Sequence, residues 1–218
     1  MKNSRHIASK IAGFMFLFIL TDVIANWILF SKFIVVDNAI ATANNIVSNQ
    51  ILFRIAIANE IILAISATIL AVALFVILKP IDKNLSLIAL IWKLIEGILM
   101  AGIALLNFIA LQFLTGINQE SLNFGYLINI HDVIYSIPMV FLGLNLTLFS
   151  YLFYKSGYIP KILSGLGVIS YTLVFIFAFI NILIPDVQMM ILTVPSIIFE
   201  LVIGLWLLIK GIKINGTP

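Results

Sequence analysis

Lys93 and Glu96 stand three residues apart in LIWKLIEGILM, Leu90 to Met100, a run that is otherwise apolar. Asp22, Glu60 and Glu200 interrupt apolar stretches in the same way as acids, and Arg54 does so as a base. A charge at the centre of a membrane helix costs about 2.5–3.5 kcal/mol on insertion scales, so such groups turn toward protein and mark ion paths, proton relays or structural bonds. A carboxyl with no counter-charge in an apolar setting favours its neutral form. Asp22, Glu60, Glu96 and Glu200 are therefore expected to be neutral at pH 7, and the chemistry they point to is proton or cation binding.

Other chemistries have less to work with. There is no cysteine, which removes thiolate nucleophiles, thiolate metal sites and disulfides. Neither G-x-S-x-G nor H-E-x-x-H occurs. His131-Asp132 is a single adjacent pair, expected to cap the outer start of a helix, and no second His or Cys nearby completes a metal set. No cofactor and no catalytic residue are expected, and an enzyme is not the preferred reading.

The elements that must position these groups are membrane spans. Of the 218 residues, 63% are hydrophobic and 10% charged, and mean hydropathy is +1.22. A water-soluble domain carries far more surface charge. About 20 apolar residues cross the hydrocarbon core, and six segments qualify: residues 11–30, 51–78, 87–115, 133–154, 162–184 and 189–209. The runs are continuous rather than alternating, which excludes a β-barrel. The expected fold is all-α, a polytopic bundle of six transmembrane helices forming one domain over residues 1–218, with no soluble domain.

Basic residues orient the bundle. Lys2, Arg5, Lys10, Lys79, Lys83, Lys155, Lys161, Lys210 and Lys213 flank one side, and Lys32 alone flanks the other. The positive-inside rule then puts both termini in the cytoplasm. A cleaved leader ending near VIA, Val23–Ala25, competes with this threading. A retained first span is preferred, because apolar character resumes at once in NWILF. The outer loops SKFIVVDNAIATANNIVSNQ and GINQESLNFGYLINIHD are rich in Asn, Gln and Ser; they either shape an outer vestibule or are simply solvated, the second being the default.

Helical periodicity gives each span one polar stripe. Asp22 pairs with Asn26 on the first. Glu60 shares a face with Ala64, Ala67 and Ala71 on the second, and Glu96 with Asn107 on the third. The fourth offers His131, Tyr135 and Asn145, and the fifth Ser170 and Asn181. The sixth offers Thr193, Ser196, Glu200 and Gly204, with Pro195 placed to open the helix locally. The simplest assembly turns all six stripes into one acid-rich seam. Lys93 and Arg54 are read as interface anchors, since long basic side chains snorkel toward headgroups. Lys93 also lies within reach of Glu96 one turn away.

Several stretches resemble a known family: FRIAIANEI, LKPIDKNLSLIALIWKLIEGIL, YLFYKSGYIPKIL and FELVIGLWLLIKGIK. The shared features are Phe53-Arg54, Lys93-x-x-Glu96, Pro160-Lys161 and Glu200 ahead of Gly204 and Trp206. The chain is similar to a bacterial six-span membrane family catalogued as domain of unknown function 4386. The resemblance implies the fold, the topology and a bacterial inner (plasma) membrane, and it implies no activity.

The seam therefore supports several functions. It is a purely structural set of interhelical hydrogen bonds, or the binding site of a proton- or cation-coupled carrier of a small solute. An accessory, sensor or immunity-type subunit acting by helix contacts is the alternative, and an intramembrane lipid-modifying enzyme comes last. The expected partners are the lipid bilayer and either a second copy or another membrane protein, and not nucleic acid.

Overall fold

The computed structural model describes residues 2–36, 38–116, 131–184 and 190–213. The helices are α1 (Lys2–Phe30), α2 (Ala39–Ser48), α3 (Gln50–Leu78), α4 (Lys83–Thr115), the single turn α5 (His131–Ile134), α6 (Ser136–Ser156), α7 (Lys161–Leu183) and α8 (Val194–Ile209). Six of them, α1, α3, α4, α6, α7 and α8, are long and apolar enough to cross a membrane, α8 together with the 3-10 turn ahead of it. No strand occurs among the described residues. The bilayer explains the surface: Ile51, Ile98, Ile162, Ile169 and Leu183 are all more than 60% exposed, which water would penalise and lipid does not.

Each long helix packs against the next along the chain, and α8 returns to α1, so the six form a closed ring. At 1.5 Å per residue α4 is about 50 Å long and α3 about 43 Å. Both exceed the roughly 30 Å hydrocarbon core, so they tilt or project from it.

The reversals follow from local chemistry. Asp82 caps α4 by accepting a hydrogen bond from the Leu85 amide at 3.1 Å. Gly157 ends α6 with φ of 65°, a left-handed conformation that costs a glycine nothing. Pro160 then stands at the N-cap of α7. Pro195 lies in the first turn of α8, just after a 3-10 turn at Met190–Thr193. It starts that helix and does not open it, because proline's missing N–H is harmless in a first turn. The 189–209 span is accordingly a short α-helix led in by a 3-10 turn, and Met189 lies outside the described residues.

The first outer loop differs from its expected solvated state. Residues Ala39–Ser48 fold as α2, whose Ala39, Thr42, Ala43 and Ile46 are buried. Asn38 caps it, accepting from the Ala41 amide at 2.9 Å. The helix closes an apolar cluster with Phe30, Phe33, Phe53 and Leu111 at the end of the bundle away from the termini. The Phe33 and Phe53 rings meet edge to face at 5.1 Å.

The start of α1 and the end of α8 lie at the opposite end. Arg5 donates to the Tyr158 hydroxyl at 2.7 Å, the Lys213 amide donates to the Tyr158 carbonyl at 2.9 Å, and the Lys10 ammonium donates to the Leu208 and Ile209 carbonyls. A cation there satisfies the last carbonyls of α8 and complements its dipole. A second, larger apolar cluster fills this half, with Phe16, Leu74, Phe149, Tyr171 and Phe199 among its members.

Candidate functional site: a buried acid–base cluster

Four helices bring side chains to one level inside the ring. Lys93 of α4, Asn145 of α6, Tyr171 of α7 and Glu200 of α8 each stand about 15 Å along their helices from the end that carries the termini. The Lys93 ammonium bonds the Glu96 carboxylate at 2.7 Å, with the two side chains only 2% and 5% exposed. Asn145 donates to the other Glu96 oxygen at 2.7 Å and to its own helix at the Phe141 carbonyl. The Tyr171 hydroxyl donates to Glu200 at 2.7 Å. Glu200 also interacts electrostatically with Lys93 and Glu96. Phe199 stacks edge to face on Tyr171 at 5.6 Å and on Phe16 at 6.3 Å, which fixes the phenol ring.

The charges at this level do not balance. Glu96 is neutralised by Lys93 and has both oxygens bonded. Glu200 has one oxygen bonded, by a neutral phenol. The cluster holds two carboxyls and one ammonium, only Glu96 being in contact with that ammonium, so with both acids ionised it carries one net negative charge. The Asn145 side-chain oxygen and the Ser170 hydroxyl, both buried, have no hydrogen-bond partner among the described residues.

A second polar level lies toward the α2 end. Glu60, fully buried, accepts from Asn107 at 2.8 Å and from the Tyr135 hydroxyl at 3.1 Å. Leu63, Ala64 and Met100 form a small apolar cluster of their own. In sequence they fall between Glu60 and Asn107 on one side and Lys93 and Glu96 on the other. A third group joins α1 to α3: Asn59 donates to the Asp22 carbonyl at 3.3 Å and to the Asn26 side-chain oxygen at 3.4 Å. One carboxyl oxygen of Asp22 is buried with no hydrogen-bond partner among the described residues.

The expected single seam is thus divided into separate groups, because side chains meet only at matching heights along neighbouring helices. Asn181 is half-exposed near the end of α7 and joins none of them. Ser196 is buried but bonds within its own segment, to the Thr193 carbonyl at 2.7 Å. Lys93 is corrected from interface anchor to buried ion-pair partner: it is 2% exposed, since Glu96 offers a nearer partner than the headgroups. Arg54 is exposed in the first turn and a half of α3. The side chains of His131 and Asp132, expected to cap the start of the fourth span, lie outside what is described. Tyr171 and Asn59 were not foreseen. Each is the immediate neighbour of a residue that was, Ser170 and Glu60, but lies about 100° away around the helix, outside the stripe that periodicity picks out. Among the described residues no group of three or more His, Cys, Asp or Glu is placed to hold a metal ion.

Fold and site together define a multi-pass helical membrane protein with an acid–base cluster inside the helix ring, buried at Lys93 and Glu96 and half-buried at Glu200. The family described as Domain of unknown function (DUF4386) matches residues 11–211, and the chain belongs to that family. It is also 29% identical over 151 residues to an uncharacterized protein of Archaeoglobus fulgidus, a match covering 68% of this chain and 80% of that protein. No solved structure matches the chain.

Proposed function

We propose that this protein binds and releases a proton at the Glu200–Tyr171 pair and couples that exchange to the movement of a small solute or cation across the membrane. The observation that carries the reading is the charge count at the middle level, two carboxyls to one ammonium. An unbalanced charge inside a bilayer is costly, and a site that is neutral in only one protonation state exchanges protons when its exposure to water changes. Glu96 serves as the fixed partner that holds Lys93. Glu60 forms a second carboxyl level, with the Leu63, Ala64 and Met100 cluster between the two in sequence. Two acid levels separated by an apolar barrier suit a carrier that opens to one side at a time.

The same reading puts both termini in the cytoplasm and the protein in a prokaryotic plasma membrane. The lysines and Arg5 at the terminal end of the bundle support that orientation.

Infrared titration of the purified protein in lipid tests the proposal. A protonated-carboxyl band is expected to titrate, and Glu200→Gln is expected to remove it. Glu200→Gln is also expected to be as stable as wild type or more so, because it relieves an unbalanced charge. Vesicles loaded with a pH-sensitive dye are expected to show proton movement in wild type and none in the variant. A titration with no such band, or one unchanged by Glu200→Gln, overturns the reading.

A further inference from the structure

Outside the ring, α4, α6 and α7 frame an open groove of about 560 Å³ that no part of the described chain fills. Leu85 and Trp92 of α4 form one wall, Leu148 and Tyr151 of α6 the floor, and Val168 and Phe175 of α7 the other wall. The floor is deep because Gly143 brings α6 against α7: a Cβ there would lie 2.7 Å from the Phe175 backbone nitrogen. Along α6 the groove runs about 12 Å, from Gly143 to Tyr151. Its apolar lining and narrow shape match a hydrocarbon chain.

The mouth of the groove is charged. Helical spacing puts Lys155 one turn beyond Tyr151 on the floor stripe and Lys161 two turns before Val168 on the wall stripe. Both are exposed at the terminal end of the bundle. The Lys155 side chain is 48% exposed and 3.5 Å from Asp82, a single opposing charge. The Lys161 ammonium lies 5.7 Å from the Tyr154 ring centre, and Lys83 is exposed at the start of α4. The Tyr151 side chain, with its hydroxyl, stands one turn inside the mouth.

We propose that this groove holds one acyl chain of an anionic glycerophospholipid, with the lipid phosphate at Lys155 and Lys161. An apolar slot with two exposed lysines beyond its end complements a molecule whose apolar chain ends in a phosphate. A second copy of the protein fits less well, since a two-fold contact over this face sets the same lysines against each other. Trp92, Leu144 and Thr172 line the groove while their chain neighbours Lys93, Asn145 and Tyr171 belong to the buried cluster. The lipid would therefore brace the helices that carry the cluster. The proposal does not depend on proton exchange at Glu200.

Trp92 supplies the probe. The Trp27→Phe/Trp206→Phe variant leaves Trp92 as the sole tryptophan and is reconstituted in phosphatidylcholine vesicles containing brominated phosphatidylglycerol or brominated phosphatidylcholine. Trp92 quenching is expected to show a preference of about fivefold or more for the phosphatidylglycerol, as two lysines near a phosphate allow. Lys155→Gln/Lys161→Gln is expected to bring that preference close to one. Equal quenching by both lipids overturns the proposal, as ordinary bilayer contact. Absence of quenching by either, with cross-linked dimers through this face, overturns it in favour of a second copy. Native mass spectrometry gives an independent reading without tryptophan changes. Wild type is expected to retain phosphatidylglycerol over phosphatidylcholine, and equal retention by wild type and the lysine variant overturns the proposal.

Discussion

Removing Lys93 while leaving Glu96 in place isolates the energetics of the buried cluster. Lys93→Met keeps the length and apolar stem of the side chain and deletes the ammonium. Glu96 then keeps the Asn145 bond at 2.7 Å and loses the ion pair at 2.7 Å, in a setting only 2% and 5% exposed. Leaving one member of a buried pair uncompensated costs about 3–5 kcal/mol, whereas replacing both members by neutral groups of similar shape is close to neutral. The double variant Lys93→Met/Glu96→Gln is therefore expected within about 1–2 kcal/mol of wild type, because a glutamine oxygen still accepts from Asn145. The coupling energy, the double-variant cost less the sum of both single-variant costs, is expected to be about 2 kcal/mol or more in magnitude, toward the upper end for contacting residues. Reversible unfolding titrations in detergent micelles or bicelles on wild type, both single variants and the double variant measure it. A single-variant cost below about 1 kcal/mol, or energies that simply add, would refute the reasoning: Lys93 would then be solvated and the pair incidental.

Three further outcomes are expected. Gly13→Ala sets a Cβ at 2.6 Å from the Leu208 amide nitrogen and 2.8 Å from the Gly204 carbonyl oxygen, and backbone cannot step aside as a side chain can. It should cost about 1–3 kcal/mol by overpacking and loosen α1 from α8, seen as faster amide exchange along both helices. Asn107→Leu deletes the 2.8 Å donor to Glu60 and should cost about 1–3 kcal/mol in the same unfolding titration. Asp82, in the α3–α4 reversal, has its carboxyl held below the ordinary value of 3.8 by the Leu85 amide first and then by Lys155. A lowered value means its stabilising effect is full above that pH and is lost as pH falls through the lowered value. Acidification should therefore narrow the stability gap between wild type and Asp82→Asn, measured as the unfolding midpoint against pH. A gap that widens on acidification would reverse the assignment.

Much of the fold was legible because hydrocarbon thickness imposes a length that few other structures share. The runs around Phe53–Leu78 and Leu87–Leu114 leave no alternative to long helices. Their ends were less legible: α1 begins at Lys2 and α4 at Lys83, since helices continue through interfacial polar residues that hydropathy discards. The buried loop helix α2 was missed although its signal was present. Asn38 ahead of Ala39, Thr42, Ala43 and Ile46 is a capped amphipathic pattern, outweighed by the Asn-rich neighbourhood. For the site, periodicity identified the inward acids and Asn107 and Asn145 but not who bonds whom. Glu60 pairs with Asn107, 47 residues away, and not with a group on its own helix. Such pairings depend on relative helix height, and no spacing within one span encodes that.

The contact of α1 with α8 sets an order on biosynthesis. As the chain emerges from the ribosome, α1 and α3 are made first and can pair at once, but the glycine seam at Gly13 has to wait for Gly204 on the sixth span. Until then the first helix presents a bare backbone groove to lipid, and Glu200, the last member of the cluster, has not been made. A nascent chain stalled before the final span thus carries Lys93, Glu96 and Tyr171 around an open side. Closing the ring takes the sixth span: only once α8 is in place is the Gly13 backbone covered and Glu200 brought to the cluster.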